Sequence, residues 1–266
     1  MQAYLERLHA ELESVREGEV AQYIPELARV DPDLFGIALV TVDGNVYQVG
    51  DSREPFTVQS VAKPLAYGIA LEDSGIDRVI EKIAVEPSGE AFNAISLEPD
   101  SGRPLNPMIN SGAIATTGLI RADTPGDRVA RILDRFERYT GHPVTINEAV
   151  YQSERDTGHR NRAISHLLRN ANILRSVPEE VLDVYFRQCA INVTARDLAL
   201  VGACLANAGV NPITGVVALE RPYVEKVLSV MSTCGMYDYS GSWVFSVGMP
   251  AKSGVGGGIM AVLPGQ

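Results

Sequence analysis

The chain of 266 residues is 45% hydrophobic and 21% charged, with 24 Gly and 15 Pro, a composition that builds a large globular core and excludes the disordered and fibrous classes. Thirty-three acidic against 23 basic residues leave a formal charge of −10, which repels phosphate backbones and anionic bilayers, so neither nucleic acid nor membrane is expected as a partner. Three cysteines, Cys189, Cys204 and Cys234, are widely spaced without a C-x-x-C pair and read as buried thiols of a reducing compartment.

Residues 1–8 lack the apolar stretch of a signal peptide, which together with the thiols predicts a cytoplasmic location. Leu5, Leu8, Leu12 and Val15 recur at helical spacing and predict an amphipathic opening helix. Residues 35–42 and 45–49 are apolar and β-branched, and Asp43-Gly44 between them is a favoured two-residue hairpin turn. From Ser60 to Asp73 the pattern is helical, with Pro64 in the first turn and Gly75 as the stop, so Ser60 falls at or near a helix amino terminus.

Further helices have their own punctuation. Thr124-Pro125 opens one that Gly141 closes; Ser176-Val177-Pro178 opens another; Thr194 with Asp197 three residues on caps a third that runs to Gly209. The charged residues Arg128, Arg131, Asp134, Arg135, Glu137 and Arg138 read as the solvated face of the first of these. The uncharged run 198–219 is long enough to span a bilayer, yet Asn207, Gly209, Asn211 and Pro212 interrupt it, so it reads as a core helix followed by a turn. After a last helix over about 221–232, the segments 242–247, 251–253 and 258–263 read as strands separated by Gly and Pro. Strands at both ends with helices between predict an α+β fold. The expected architecture is one domain over 1–266 in two lobes: one antiparallel sheet from about 1–75 and 221–266, flanked by helices, with a mainly helical lobe, about 76–220, inserted.

Ser60-Val61-Ala62-Lys63 puts a hydroxyl and an amine one helical turn apart on one face. Serine is a poor nucleophile until its proton is taken, and a lysine desolvated in a closed site can be neutral and take it. Alone the motif is weak, since Ser-x-x-Lys arises by chance about once in a chain of this length and is commonly a surface pair. A second motif adds to it: Lys252-Ser253-Gly254 lies on a candidate strand near the carboxyl end, in the order of the Ser-x-x-Lys and K-T-G pair of the penicillin-binding and β-lactamase enzymes. A strand edge beside the nucleophile can offer the Val255 N–H to complete an oxyanion hole with that of Ser60; the bland reading of 252–258 is a flexible turn. Ile259 stands where G-x-G-x-x-G needs its last Gly, so this is no dinucleotide loop. His9, His142, His159 and His166 show no H-E-x-x-H spacing, and neither a metal nor any other cofactor is expected.

With YIPELA at 23–28, QSVAKPL at 59–65, NPMINSGA at 106–113, SE at 153–154 followed by RNR at 160–162, CGMYD at 234–238 and PAKSGV at 250–255, the chain resembles the serine-dependent glutaminases over nearly its whole length. The resemblance implies a β-lactamase/transpeptidase-like fold, L-glutamine as substrate, a homo-oligomer (dimer or tetramer), and a further strand and closing helix beyond Gln266. It implies that Ser60 is acylated, that Lys63 is its basic partner, that Tyr237 helps move the proton and that Val255 supplies an oxyanion donor. By the same carry-over Tyr23, Asn110, Glu154, Asn161 and Tyr185, with Ser60, Tyr237 and Val255, form the glutamine-binding set. On residue type alone, Tyr23 and Tyr185 also fit packing roles, and Asn110 and Asn161 fit helix caps. The chemistry suits glutamine: Glu154 is an anion for the ammonium, and Asn and Tyr are neutral donors for the carboxylate. Two other readings stay open: another Ser-x-x-Lys hydrolase (β-lactamase, DD-peptidase or esterase), and a catalytically silent amino-acid-binding protein.

Overall fold

In a computed structural model, which describes residues 1–90 and 94–266, the opening helix α1 spans Gln2–Leu12 and buries only Leu5. Val15 lies beyond its end, and Leu12 and Val15 are both exposed, so the apolar stripe is shorter than its spacing suggested. The hairpin forms as expected: β1 (Gly36–Val40) pairs antiparallel with β2 (Val46–Gly50), with Gly36 opposite Gly50. A short strand β3 (Phe56–Thr57) then leads through a 310 turn at Gln59–Val61 into α2 (Ala62–Ser74). Every residue of α2 from Ala62 to Leu71 is buried, the mark of a helix apolar all round and enclosed by others.

Gly75, at φ 79°, stops α2 and starts α3 (Ile76–Lys82), a backbone conformation that glycine adopts without cost. Next come α4 (Asn110–Leu119) and α5 (Pro125–Thr140). Thr124 and Asp127 exchange backbone-to-side-chain hydrogen bonds of 3.1 Å at the start of α5, a capping box. Its charged face is less wet than expected. Arg128 is buried and donates to the Ile120 carbonyl, while Arg131 and Arg135 pair with Asp73 and Glu72 at the end of α2.

Helices α6 (Glu148–Thr157), α7 (His159–Asn170) and α8 (Pro178–Cys189) follow, then β4 (Asn192–Val193) and α9 (Ala195–Ala206). Thr194 and Asp197 repeat the capping box on α9. Beyond Ala206 the uncharged run turns, as expected. Helix α10 covers Arg221–Cys234, and β5 (Ala251–Ser253) pairs antiparallel with β6 (Ile259–Ala261).

The α+β class stands, with two corrections. Segment 242–247 is not a strand: Ser240–Ser246 form helix α11. Its Trp-Val-Phe run is consecutive and not alternating, so it carries no strand period, and Phe245 remains 92% exposed. Nor do the strands make one sheet. Among the described residues they form three separate two-stranded ladders, β1-β2, β3-β4 and β5-β6: each strand pairs with one other strand only, and α9 packs against both β1 and β6. One apolar core runs through the molecule, including Val61 and Leu65 of α2, Ile114 of α4, Phe136 of α5, Phe186 of α8, Val201 of α9 and Met231 of α10. All three cysteines are free and buried in it.

Candidate active site

Gln59, just before the candidate nucleophile, is a non-glycine residue at φ 48°, a left-handed conformation that persists only where surrounding structure enforces it. The bend delivers Ser60, 8% exposed, to the amino end of α2. One turn on, the Lys63 amine is buried and its Nζ lies 2.9 Å from Ser60 Oγ. Burial pulls the Lys63 pKa down to about 8, against the partial support of nearby acidic groups including Glu154. Roughly a tenth of the amine is therefore neutral at pH 7, far more than an ordinary lysine offers, and the Ser60 hydroxyl is within its reach.

Asn110, the first residue of α4, accepts at Oδ1 from Lys63 Nζ at 2.7 Å and from the Tyr185 hydroxyl of α8 at 3.4 Å. Its Nδ2 donates to Asn161 Oδ1 of α7 at 3.1 Å. Glu154, buried on α6, accepts from Gln59 Nε2 at 2.8 Å. Burial pushes its carboxyl up to about 7, opposed by that hydrogen bond and by Lys63. Tyr23 is 54% exposed, but its hydroxyl is held above the usual tyrosine range by burial and by Glu154, so it meets the same site from the rim.

Tyr237 follows α10 in a left-handed conformation, φ 57°. Its hydroxyl hydrogen-bonds Ser60, and burial raises its pKa. Val255 sits on the turn after β5, between two glycines that lie hard against the nucleophile's turn. A Cβ on Gly254 would stand 3.3 Å from Ser60 N, and one on Gly256 would stand 2.4 Å from the Thr57 carbonyl oxygen. Only glycine permits so close an approach.

Eight of the nine residues singled out from sequence (Ser60, Lys63, Tyr237, Asn110, Asn161, Tyr185, Glu154 and, from the rim, Tyr23) thus join through hydrogen bonds or charge, and Val255 lies beside them on the turn after β5. Gln59 was missed; its place directly before Ser60 was the one signal for it. Buried Cys189, under the electrostatic influence of Glu154 and Lys63, was expected to be a core thiol and also underlies the site. Among the described residues no group of three or more His, Cys, Asp or Glu is placed to hold a metal ion.

The family model described as Glutaminase matches residues 18–266. The chain belongs to the glutaminase family. Its activity is the hydrolysis of L-glutamine to L-glutamate and ammonia, and the β-lactamase and silent-binder readings give way to it. The glutaminase of Trichormus variabilis is 56% identical over 259 residues, covering 97% of this chain and 78% of that protein. The glutaminase of a Nostoc species is 57% identical over 257 residues, covering 97% and 77%. Among solved structures, Mglu in its glutamate form has a TM-score of 0.95 at 43% identity and covers 100% of this chain and 61% of its own. The probable glutaminase ybaS has a TM-score of 0.96 at 43% identity, covering 99% and 86%. The chain therefore spans about three quarters of those two curated glutaminases and less than two thirds of Mglu, and it has the β-lactamase-like α+β fold of the glutaminases.

Proposed function

We propose that glutamine hydrolysis proceeds here through an acyl-enzyme on Ser60. The observation that carries this reading is the 2.9 Å contact between Lys63 Nζ and Ser60 Oγ in a buried setting that lowers the amine's pKa to about 8. Neutral Lys63 takes the Ser60 proton as Oγ attacks the side-chain amide carbon, and the carbonyl electron pair moves onto oxygen. The N–H groups of Ser60 and Val255 receive that oxyanion. When the carbon–nitrogen bond breaks, the proton passes from Lys63, with Tyr237 assisting, to the leaving nitrogen, and ammonia departs. Water, giving its proton to Lys63, then attacks the γ-glutamyl ester; glutamate leaves, and Ser60 recovers a proton.

Glu154 receives the substrate ammonium, while Tyr23, Asn110, Asn161 and Tyr185 supply donors for its carboxylate. Fixing both ends of the amino acid selects glutamine over asparagine more strongly than one methylene, worth about 1–3 kcal/mol, does in an apolar pocket. We also propose the two lobes, about 1–75 with 221–266 and about 76–220, a homo-oligomeric state and a cytoplasmic location. Among the described residues no helix is long and apolar enough to cross a membrane. Mass spectrometry after incubation with a slowly hydrolysed glutamine analogue tests the mechanism: the adduct belongs on Ser60, and an adduct on another residue overturns it. An ammonia-release assay across amino-acid amides tests the selectivity, which equal turnover of asparagine would refute.

A further inference from the structure

Lys252, on β5, is 0% exposed. Its Nζ donates to the Gly235 carbonyl at 2.9 Å and to the Ser253 carbonyl at 2.6 Å, and lies 3.8 Å from the centroid of the Tyr237 ring. An ammonium has three protons, and two carbonyls and one ring face use all of them. No donor is left for a ligand. We propose that Lys252 is a positioning residue for Tyr237, pinning the ring from beneath so that its hydroxyl reaches Ser60, and that it does not bind substrate. This deepens the reading above and rests on the Tyr237 hydroxyl serving Ser60.

Three observations converge on it. Tyr237 holds φ 57° without being glycine, a strained conformation that needs external restraint. Gly235, two residues earlier, abuts β5 so closely that a Cβ there would stand 1.8 Å from the Ala251 carbonyl oxygen. Lys252 therefore grips segment 235–237 both at its backbone and at its ring. Finally, Lys63 Nζ lies 5.7 Å from the same ring centroid, so two lysines flank Tyr237, and only Lys63 also contacts Ser60. Burial pulls the Lys252 pKa down, and the charge of Lys63 adds to the effect. The two carbonyls and the negative face of the ring oppose this by favouring the ammonium form.

A double-mutant cycle on the full chain tests the assignment, with kcat and KM for glutamine measured in wild type, Lys252→Met, Tyr237→Phe and the double variant. Lys252→Met is expected to lower kcat about 100-fold, the scale of a misplaced proton-transfer group, with little change in KM. With the hydroxyl already gone in Tyr237→Phe, the same substitution should cost less than about threefold, because the two changes act on one group. Equal losses in both backgrounds would overturn the positioning role, whereas wild-type turnover by Tyr237→Phe would instead overturn the catalytic reading beneath it. NMR of the native chain decides the geometry even if Lys252→Met does not fold. The ring current of Tyr237 should move the Lys252 ε-methylene protons upfield, and Tyr237→Leu should abolish that shift. Ordinary lysine positions for those protons in the native chain would overturn the inference.

Discussion

Gln59 Nε2 stands 2.8 Å from Glu154 Oε1, so the residue that precedes the nucleophile also holds the buried carboxylate, 95 residues away in sequence. The contact couples the position of Ser60 to the anion proposed to receive the substrate's ammonium. It also satisfies a carboxylate that burial alone would leave costly.

Glu154→Gln should therefore separate stability from binding. The native carboxyl titrates near about 7 against an ordinary 4.5, so the buried charge lowers stability above pH 7, and that cost disappears as pH falls toward 4.5. At pH 8 the neutral amide should raise the unfolding free energy by on the order of 1–3 kcal/mol. Glutamine KM should rise by about 30-fold or more, the scale of losing one partner of a buried charge pair. Denaturant melts and steady-state kinetics on the same preparation check both halves.

The pH profile follows from the same groups. Lys63 is the working base only when neutral, above about 8, and Glu154 pairs with an ammonium only when ionised, above about 7. Both conditions improve with rising pH, so kcat/KM should climb from pH 6 to above 8. A flat profile across that window would contradict the assignment of Lys63.

Ser60→Ala should abolish turnover by at least about 10⁴-fold, since no other group can carry the acyl intermediate. Circular dichroism should be unchanged, and glutamine should still protect the variant against thermal unfolding.

Gly256→Ala tests the proposed oxyanion donor. Its new methyl would collide with the Thr57 carbonyl at 2.4 Å and push Val255 away from Ser60. The expected loss in kcat is about 100- to 1000-fold, that of one oxyanion donor. Gly241→Ala, where a Cβ meets nothing within 4 Å, should leave kcat unaltered.

Thr194→Ala removes the 3.1 Å cap on the Asp197 N–H and should cost about 1 kcal/mol of stability with no effect on kcat. Chemical denaturation measures the first and an ammonia assay the second.

What was legible in the sequence was local or familial. The hairpin around Asp43-Gly44, the caps at Thr124 and Thr194, and Ser60 and Lys63 one turn apart all depend on groups within about four residues of each other. Ser60, Lys63 and Val255 stood out from two short motifs, whereas the other six site residues rested on a family resemblance, residue type alone leaving Asn110, Asn161, Tyr23 and Tyr185 open to packing or capping roles. Helix α11 departs from the strand expected over 242–247 because a short apolar, aromatic run bounded by Gly and Pro does not by itself distinguish strand from helix.

The sequence by itself determined where α2, α5, α8, α9 and α10 begin, and it put a hydroxyl and an amine on one face of the turn that opens α2. Only the tertiary structure decided that this amine is buried enough to lose its proton near neutral pH, that Gln59 reaches Glu154, and that Lys252 turns inward under Tyr237. Hydrogen-bonded turns and caps close within a few residues, whereas desolvation, strand pairing and charge coupling arise from groups brought together across the whole chain.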